Sequence, residues 1–277
     1  VFPIVLATAS ALVWGASDFC GGKGAQRASA LAVTVVSQLW SVPVLVAGVL
    51  VISGTPRWSD LGIGALAGVF GLLGIVLLYR GLAAGAMVVV SPVTAVTAAV
   101  VPLGAGLLLD GVLSGLALLG TGCAVVAIAL ISAAPGGRRG VVTPGLIGLT
   151  LTAGTMFGLF FTLLSQLHPD SGMWGMVAVR ASSIPLGLVV ARASRTRLRL
   201  PRPALRWAAI AGPLDALANS LFVLAVMQGH LSVVAVLASL YPASTVLLAL
   251  AVDKERVRVV QAAGLGLAAG ALALVAT

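Results

Sequence analysis

The chain has 277 residues, 60% of them hydrophobic and only 8% charged, with a net charge of +9 and a mean hydropathy of +1.16. A soluble domain carries about 25% charged residues, so this chain cannot cover a wet globular surface, and a water-soluble enzyme is excluded. Lipid is the solvent that suits it, and in lipid only helices and closed barrels satisfy their own backbone. Barrels need short strands of alternating polarity, whereas unbroken apolar runs such as 61–78 and 115–134 specify helices.

A spanning helix takes about 20 apolar residues. Breaks at charges, Pro/Gly pairs and polar clusters divide the sequence into ten spans: 3–21, 29–53, 60–84, 87–109, 113–133, 144–166, 172–192, 204–228, 231–252 and 258–276. Span 1 has no basic segment before it and no clear cleavage site after it, so it reads as a helix rather than a signal peptide. The absence of a starting Met leaves room for a short leader. Many of the 34 glycines lie inside the spans, several of them four apart: Gly64/Gly68, Gly81/Gly85, Gly154/Gly158 and Gly266/Gly270. That spacing lets membrane helices approach closely. Cys20 and Cys123 make neither a disulfide framework nor a metal cluster and read as small packing residues. No cofactor or metal is expected.

Orientation follows from Lys and Arg in the short loops. Lys23 and Arg27, Arg80, Arg138 and Arg139, the set Arg192, Arg195, Arg197, Arg199, Arg202 and Arg206, and Lys254, Arg256 and Arg258 all fall on one side, 14 of the 16 basic residues. Arg57 falls on the other side and Arg180 within the membrane. The positive-inside rule makes the crowded side cytoplasmic and puts both termini outside a cytoplasmic (inner) membrane. The positive charge is thus mostly a topology signal, and the six-Arg loop is also placed to touch anionic headgroups. A nucleic-acid partner is not expected, because no folded domain or aromatic interleaving accompanies the basic residues.

Shifted by about 143 residues, the sequence falls on itself. Trp14-Gly15 meets Phe157-Gly158, Gln38 and Pro43 meet Arg180 and Pro185, and Gly68, Gly85 and Gly120 meet Gly212, Gly229 and Gly264. Asp110 lands one position from Glu255. Each half, 1–138 and 139–277, holds five spans, and an odd number forces the halves into opposite orientations. Inverted repeats that rock around a central site are typical of secondary transporters. The expected fold class is therefore all-α, with ten transmembrane helices in two inverted five-helix repeats around a central cavity.

The stretch from Gly212-Pro-Leu-Asp-Ala-Leu-Ala-Asn-Ser-Leu-Phe222, through Ala225 to Gly229 and Val236-Leu-Ala-Ser-Leu-Tyr-Pro-Ala-Ser-Thr245, to Glu255 and Gln261-Ala-Ala-Gly264, resembles the second repeat of the EamA family. That family belongs to the drug/metabolite transporter superfamily. Trp14-Gly15 resembles the opening of the first repeat, so the likeness spans essentially the whole chain. It implies a ten-helix bundle with a central cavity and alternating access, and a cargo among amino acids, other metabolites, sugars or toxic compounds, often exported. Relatives are usually drawn with cytoplasmic termini, the reverse of what the loop charge indicates here.

An ionisable group inside the bilayer costs about 2.5–3.5 kcal/mol on insertion scales, so each needs a partner, a wet cavity or a task. Asp215 lies near the middle of span 8 with Asn219 one turn on, and Arg180 lies near mid-depth in span 7, within reach of an ion pair. Gln38 is the repeat counterpart of Arg180. These residues form either a substrate or proton site or a static pair that locks two helices. Asp18 has two readings: a proton-exchanging carboxylate at a gate, or a helix-end partner of Lys23. Trp14, one turn before it, is a candidate cavity wall. Ser91-Pro92, Thr94 and Thr97 in span 4, and Ser239, Tyr241-Pro242 and Thr245 in span 9, combine a helix break with hydroxyls in matching halves, which points to binding. Tyr79 and Arg80 lie near a cavity mouth, with Arg80 read as snorkelling. His230, Asp110 and Glu255 read as helix-end structure.

The rival from another class is an intramembrane enzyme, suggested by Gly15-Ala16-Ser17-Asp18. Catalysis of that type needs a paired base and an oxyanion hole, and the two histidines, His168 and His230, fall in turns. A channel lacks its ring of charges or carbonyl filter. The expectation is a non-enzymatic, proton- or gradient-coupled exporter of small polar metabolites, amino acids or amines first, acting as a monomer or homodimer. A facilitator or importer of sugars or other metabolites is the alternative.

Overall fold

The computed structural model describes residues 2–84, 87–110, 142–164, 166–228, 241–253 and 259–275, with isolated positions between 115 and 130. The described residues form nine α-helices and no strand: α1 (Phe2–Ala25), α2 (Ala30–Val51), α3 (Trp58–Ala83), α4 (Met87–Asp110), α5 (Pro144–Leu164), α6 (Trp174–Ala193), α7 (Arg202–Gln228), α8 (Tyr241–Asp253) and α9 (Val259–Val275). A 3-10 turn, Pro169–Ser171, precedes α6. Among the described residues, six helices are long and apolar enough to cross a membrane: α1, α2, α3, α5, α6 and the Arg202–Ala225 part of α7. Of the ten expected spans, the fifth (113–133) falls outside the described residues apart from isolated positions, as does 231–240 of the ninth.

Two boundaries differ from expectation in ways that matter. The first helix does not stop at the glycines near 21 but runs to Ala25, so Lys23 is a buried residue of its last turn, not a loop residue. Its Nζ lies 5.9 Å from the centre of the Phe19 ring, a cation–π distance. Arg202 and Arg206 likewise belong to the opening turns of α7.

Glycine and hydroxyl side chains set the packing. α1 lies along α7, where Ser10 Oγ donates to Ala218 O and Ser17 Oγ to Ala211 O, both at 2.8 Å. It also crosses α8, where Gly15 faces the Tyr241 carbonyl and the Thr245 amide with no room for a Cβ. At that crossing Thr245 Oγ1 donates to Gly15 O at 3.1 Å. α5 packs on α3 and α4, with Gly154 against the Thr94 carbonyl and Gly158 against that of Ala98. Gly64 and Gly68 of α3 lie on the α6 backbone at Gly175 and Val179, and Gly212 of α7 lies on the α2 backbone at Ser37 and Ser41. Small residues allow such backbone-to-backbone approach. Gly266 and Gly270, by contrast, meet no described atom within 4 Å.

Contacts at the two ends of the bundle fix which loops share a face. At one end the Phe19 and Trp207 rings meet at 6.2 Å, and Leu198 packs on Leu31, Val35 and Ala191. This end gathers Arg27, Arg80 and the arginines of 192–199. α6 stops there in a six-to-one turn, Thr196 N donating to Ala191 O at 2.8 Å with Arg195 at φ 52°, the geometry of a Schellman cap. At the other end, segments 52–57 and 166–173 are tied together. The Asp60 carboxylate, 3% exposed, accepts from the His168 amide at 3.2 Å. Thr55 N donates to Asp170 O at 2.9 Å, Trp174 Nε1 donates to Gly54 O at 3.2 Å, and Arg57 lies 3.8 Å from the Asp170 carboxylate. Gly172 has φ +50° and sits on the Ser53 carbonyl, so both its conformation and its neighbour require glycine.

Candidate functional site

Seven helices contribute to one cavity in the bundle interior, with about 60 Å³ of space open to the centres of water molecules, room for several waters. α1 gives Trp14 and Asp18, one turn apart on one face. α2 gives Gln38 and α3 gives Gly68, Gly71, Leu72 and Ile75. Phe157, Phe160 and Phe161 come from α5, Val179, Arg180 and Ser183 from α6, Asp215 and Asn219 from α7, and Tyr241 from α8.

The charged centre joins three helices. Arg180 Nη2 is ion-paired and hydrogen-bonded to Asp215 Oδ2, and Arg180 Nε donates to Ser41 Oγ of α2 at 3.2 Å. Ser41 Oγ in turn donates to Gln38 O at 2.6 Å. Asp215 lies 13 residues from each end of Arg202–Gln228, at the middle of the helix. Asn219 Nδ2 donates back to the Asp215 carbonyl at 2.7 Å. Asp18 enters the same cavity from α1, so its lining carries two carboxylates and one guanidinium. Gln38 Oε1 and Ser183 Oγ, both buried, have no hydrogen-bond partner among the described residues. Unsatisfied buried polar atoms are rare in native structures, and here they face the space a polar guest would fill.

Aromatic rings cover this centre. Trp14 meets Phe161 edge-on at 6.2 Å and Phe222 at 5.5 Å, and Phe161 meets Phe157 and Phe160 at 6.4 and 5.3 Å. The wall thus combines apolar area with a polar floor, the usual make-up of a small-molecule site.

The structure brings together Trp14, Asp18, Gln38, Arg180, Asp215, Asn219 and Tyr241. It places Thr94 and Thr97 elsewhere, on the α4–α5 seam against Gly154, with Thr97 Oγ1 donating to Val93 O at 2.8 Å. Pro92 is buried in α4 away from the cavity lining, and Pro242 falls in the first turn of α8. Ser239 lies outside the described residues, as do His230 and Glu255. Among the lining residues that sequence reasoning passed over are Ser183 and the phenylalanines, beside the small and aliphatic Gly71, Leu72, Ile75 and Val179. Phe157, Phe160 and Phe161 stand at i, i+3 and i+4, a one-face spacing that lipid-facing and cavity-facing positions share, so the sequence carried no signal to separate them. Ser183 stands one turn after Arg180, a spacing that does predict a shared face.

A chain whose described residues form helices and no strand, six of the helices of membrane length and apolar, with charged groups held in the interior, is a multi-pass membrane protein. A model of the EamA-like transporter family matches residues 1–133 and matches again at 144–277, and the chain belongs to that family. Thirteen chains of solved structures resemble it. One, a crystal structure of a protein 14% identical in sequence, has a TM-score of 0.62 with 98% of this chain and 97% of that chain covered, a likeness of fold. No curated protein matches.

Proposed function

We propose that this chain is a secondary active transporter that exports small polar metabolites, amino acids or amines first, across the cytoplasmic membrane by alternating access driven by a proton or other gradient. The carrying observation is the convergence of Arg180, Asp215 and Asp18 from three helices on one aromatic-walled cavity. Intramembrane charges mark substrate and ion pathways. A zwitterion matches the centre: its carboxylate suits the guanidinium of Arg180 and its ammonium suits a carboxylate. Two carboxylates against one guanidinium also leave one acidic group able to exchange a proton as the guest enters or leaves.

The double match of one family model to the two halves, each helix pair α2–α7 and α3–α6 crossing on a glycine (Gly212, Gly68), supports a reading of the chain as two inverted repeats, 1–138 and 139–277. Rocking of such halves exposes a midplane site to each side in turn. The arginine-crowded end is then cytoplasmic and the termini lie outside.

The test is uptake into proteoliposomes with labelled amino acids, amines and sugars, with and without an imposed pH gradient. Saturable flux of amino acids or amines that follows the gradient is the expected result. Saturable flux indifferent to every imposed gradient would make the protein a facilitator, and flux of sugars alone would overturn the substrate assignment.

A further inference from the structure

The cavity-lining stripes of α1 and α3 run into one contact. On α1 the lining residues Trp14 and Asp18 are followed one turn later by Gly21, and on α3 Ile75 is followed one turn later by Tyr79. Those positions share faces by helical geometry. Tyr79 is only 1% exposed, although phenol is a large polar-tipped group. Its ring and hydroxyl lie on the backbone of Gly21, where any Cβ would overlap them. Behind it, Leu82 and Met87, both fully buried, close on Gly22. This contact stands between the Asp18 end of the cavity and the arginine-crowded end of the bundle.

We infer that Tyr79 is the barrier that closes the cavity toward the arginine-crowded face, with Gly21 as its seat. A flat ring seated on bare backbone has no Cβ at its seat to interlock with, so it can lift as a unit. The inference deepens the transporter reading and rests on it for its purpose, but the barrier itself is measurable without any substrate.

The experiment replaces Cys20 and Cys123 by Ala, introduces Ile75→Cys as a reporter inside the cavity, and follows labelling by a charged, membrane-impermeant maleimide in vesicles of each orientation. Arg195→Cys, in a separate variant, identifies the arginine-crowded side. Labelling of the reporter from that side should be slow with Tyr79 present and rise tenfold or more with Tyr79→Ala. Tyr79→Phe should stay within about twofold. Gly21→Ala, which displaces the ring, should raise the rate in the Tyr79 background and add nothing in the Tyr79→Ala background. Should Tyr79→Ala fail to fold, the Gly21→Ala and Tyr79→Phe arms carry the test alone. Fast labelling with Tyr79 in place, or Gly21→Ala and Tyr79→Ala both within twofold of the parent, would overturn the barrier. An intact barrier in a protein that carries none of the tested substrates would leave this inference standing and sink only the choice of cargo.

Discussion

Arg180 and Asp215 come from consecutive helices, α6 and α7, and meet in the bundle interior while Arg180 also holds Ser41 of α2. The pair therefore does two things at once: it fixes three helices relative to one another and leaves its remaining hydrogen-bonding capacity facing the cavity.

Removing one partner strands a charge in a low-dielectric site, whereas removing both does not. Asp215→Asn and Arg180→Gln should each abolish transport, and each should cost up to about 3 kcal/mol of stability. The double variant should be more stable than either single one. Unfolding titrations in detergent, run beside flux assays, check both points. Normal transport by both single variants would remove the pair from the site.

Asp18 has a different expected signature. Asp18→Asn should abolish gradient-driven accumulation and retain exchange of substrate for substrate across the membrane, because exchange needs no net proton movement. Equal loss of both modes would assign Asp18 to substrate binding instead of coupling.

Glycines at backbone crossings should be far less replaceable than glycines facing outward. A methyl group at Gly212 meets the Ser37 carbonyl, which cannot swing aside, while Gly62 meets no described atom within 4 Å. Gly212→Ala should cost about 1–3 kcal/mol or more through overpacking. Gly62→Ala should gain up to about 1 kcal/mol, since alanine gives up less freedom in a helix. Thermal unfolding of the two variants separates them in sign.

Asp60, in the first turn of α3, holds the segment before α6 through the His168 amide. Asp60→Ala leaves that buried-side donor without its acceptor and should cost about 1–3 kcal/mol. Asp60→Asn keeps an acceptor oxygen in place and should retain most of the stability. A matching loss in both variants would mean that charge, including the nearby Arg57, matters more than the hydrogen bond.

The residues legible in advance were those whose chemistry is out of place in lipid. Arg180, Asp215 and Asp18 stood out because an apolar run seldom tolerates a charge, and the mid-helix positions of Arg180 and Asp215 put those two within reach of one another, whereas Asp18 read as a helix-end residue and its place in the same cavity was not legible. Rotation about each helix axis was not legible. Thr94 and Thr97 follow the same proline-plus-hydroxyl pattern as Tyr241, yet they face α5 and Tyr241 faces the cavity. Phe157, Phe160 and Phe161 were invisible for a related reason, since an aromatic on an apolar helix suits lipid, a neighbour or a cavity equally well. The end of α1 escaped because Gly21, Gly22 and Gly24 favour a break locally. Packing of those glycines beneath Tyr79, Leu82 and Val33 overrides that preference.

The ties among Gly54, Thr55, Arg57, Asp60, His168 and Asp170 all lie at the end of the bundle away from Tyr79. Fastened there, and meeting α1 at the opposite end through the Tyr79 ring on the Gly21 backbone, α3 has the mechanics of a lever with its fulcrum at one tip. A tilt of about 10° about that fulcrum carries the far tip of a helix ~30 Å long through roughly 5 Å. Under the proposed alternating access, displacement on that scale matches the width of a small metabolite, with the clasped loops as the hinge and the Tyr79 end as the part that opens.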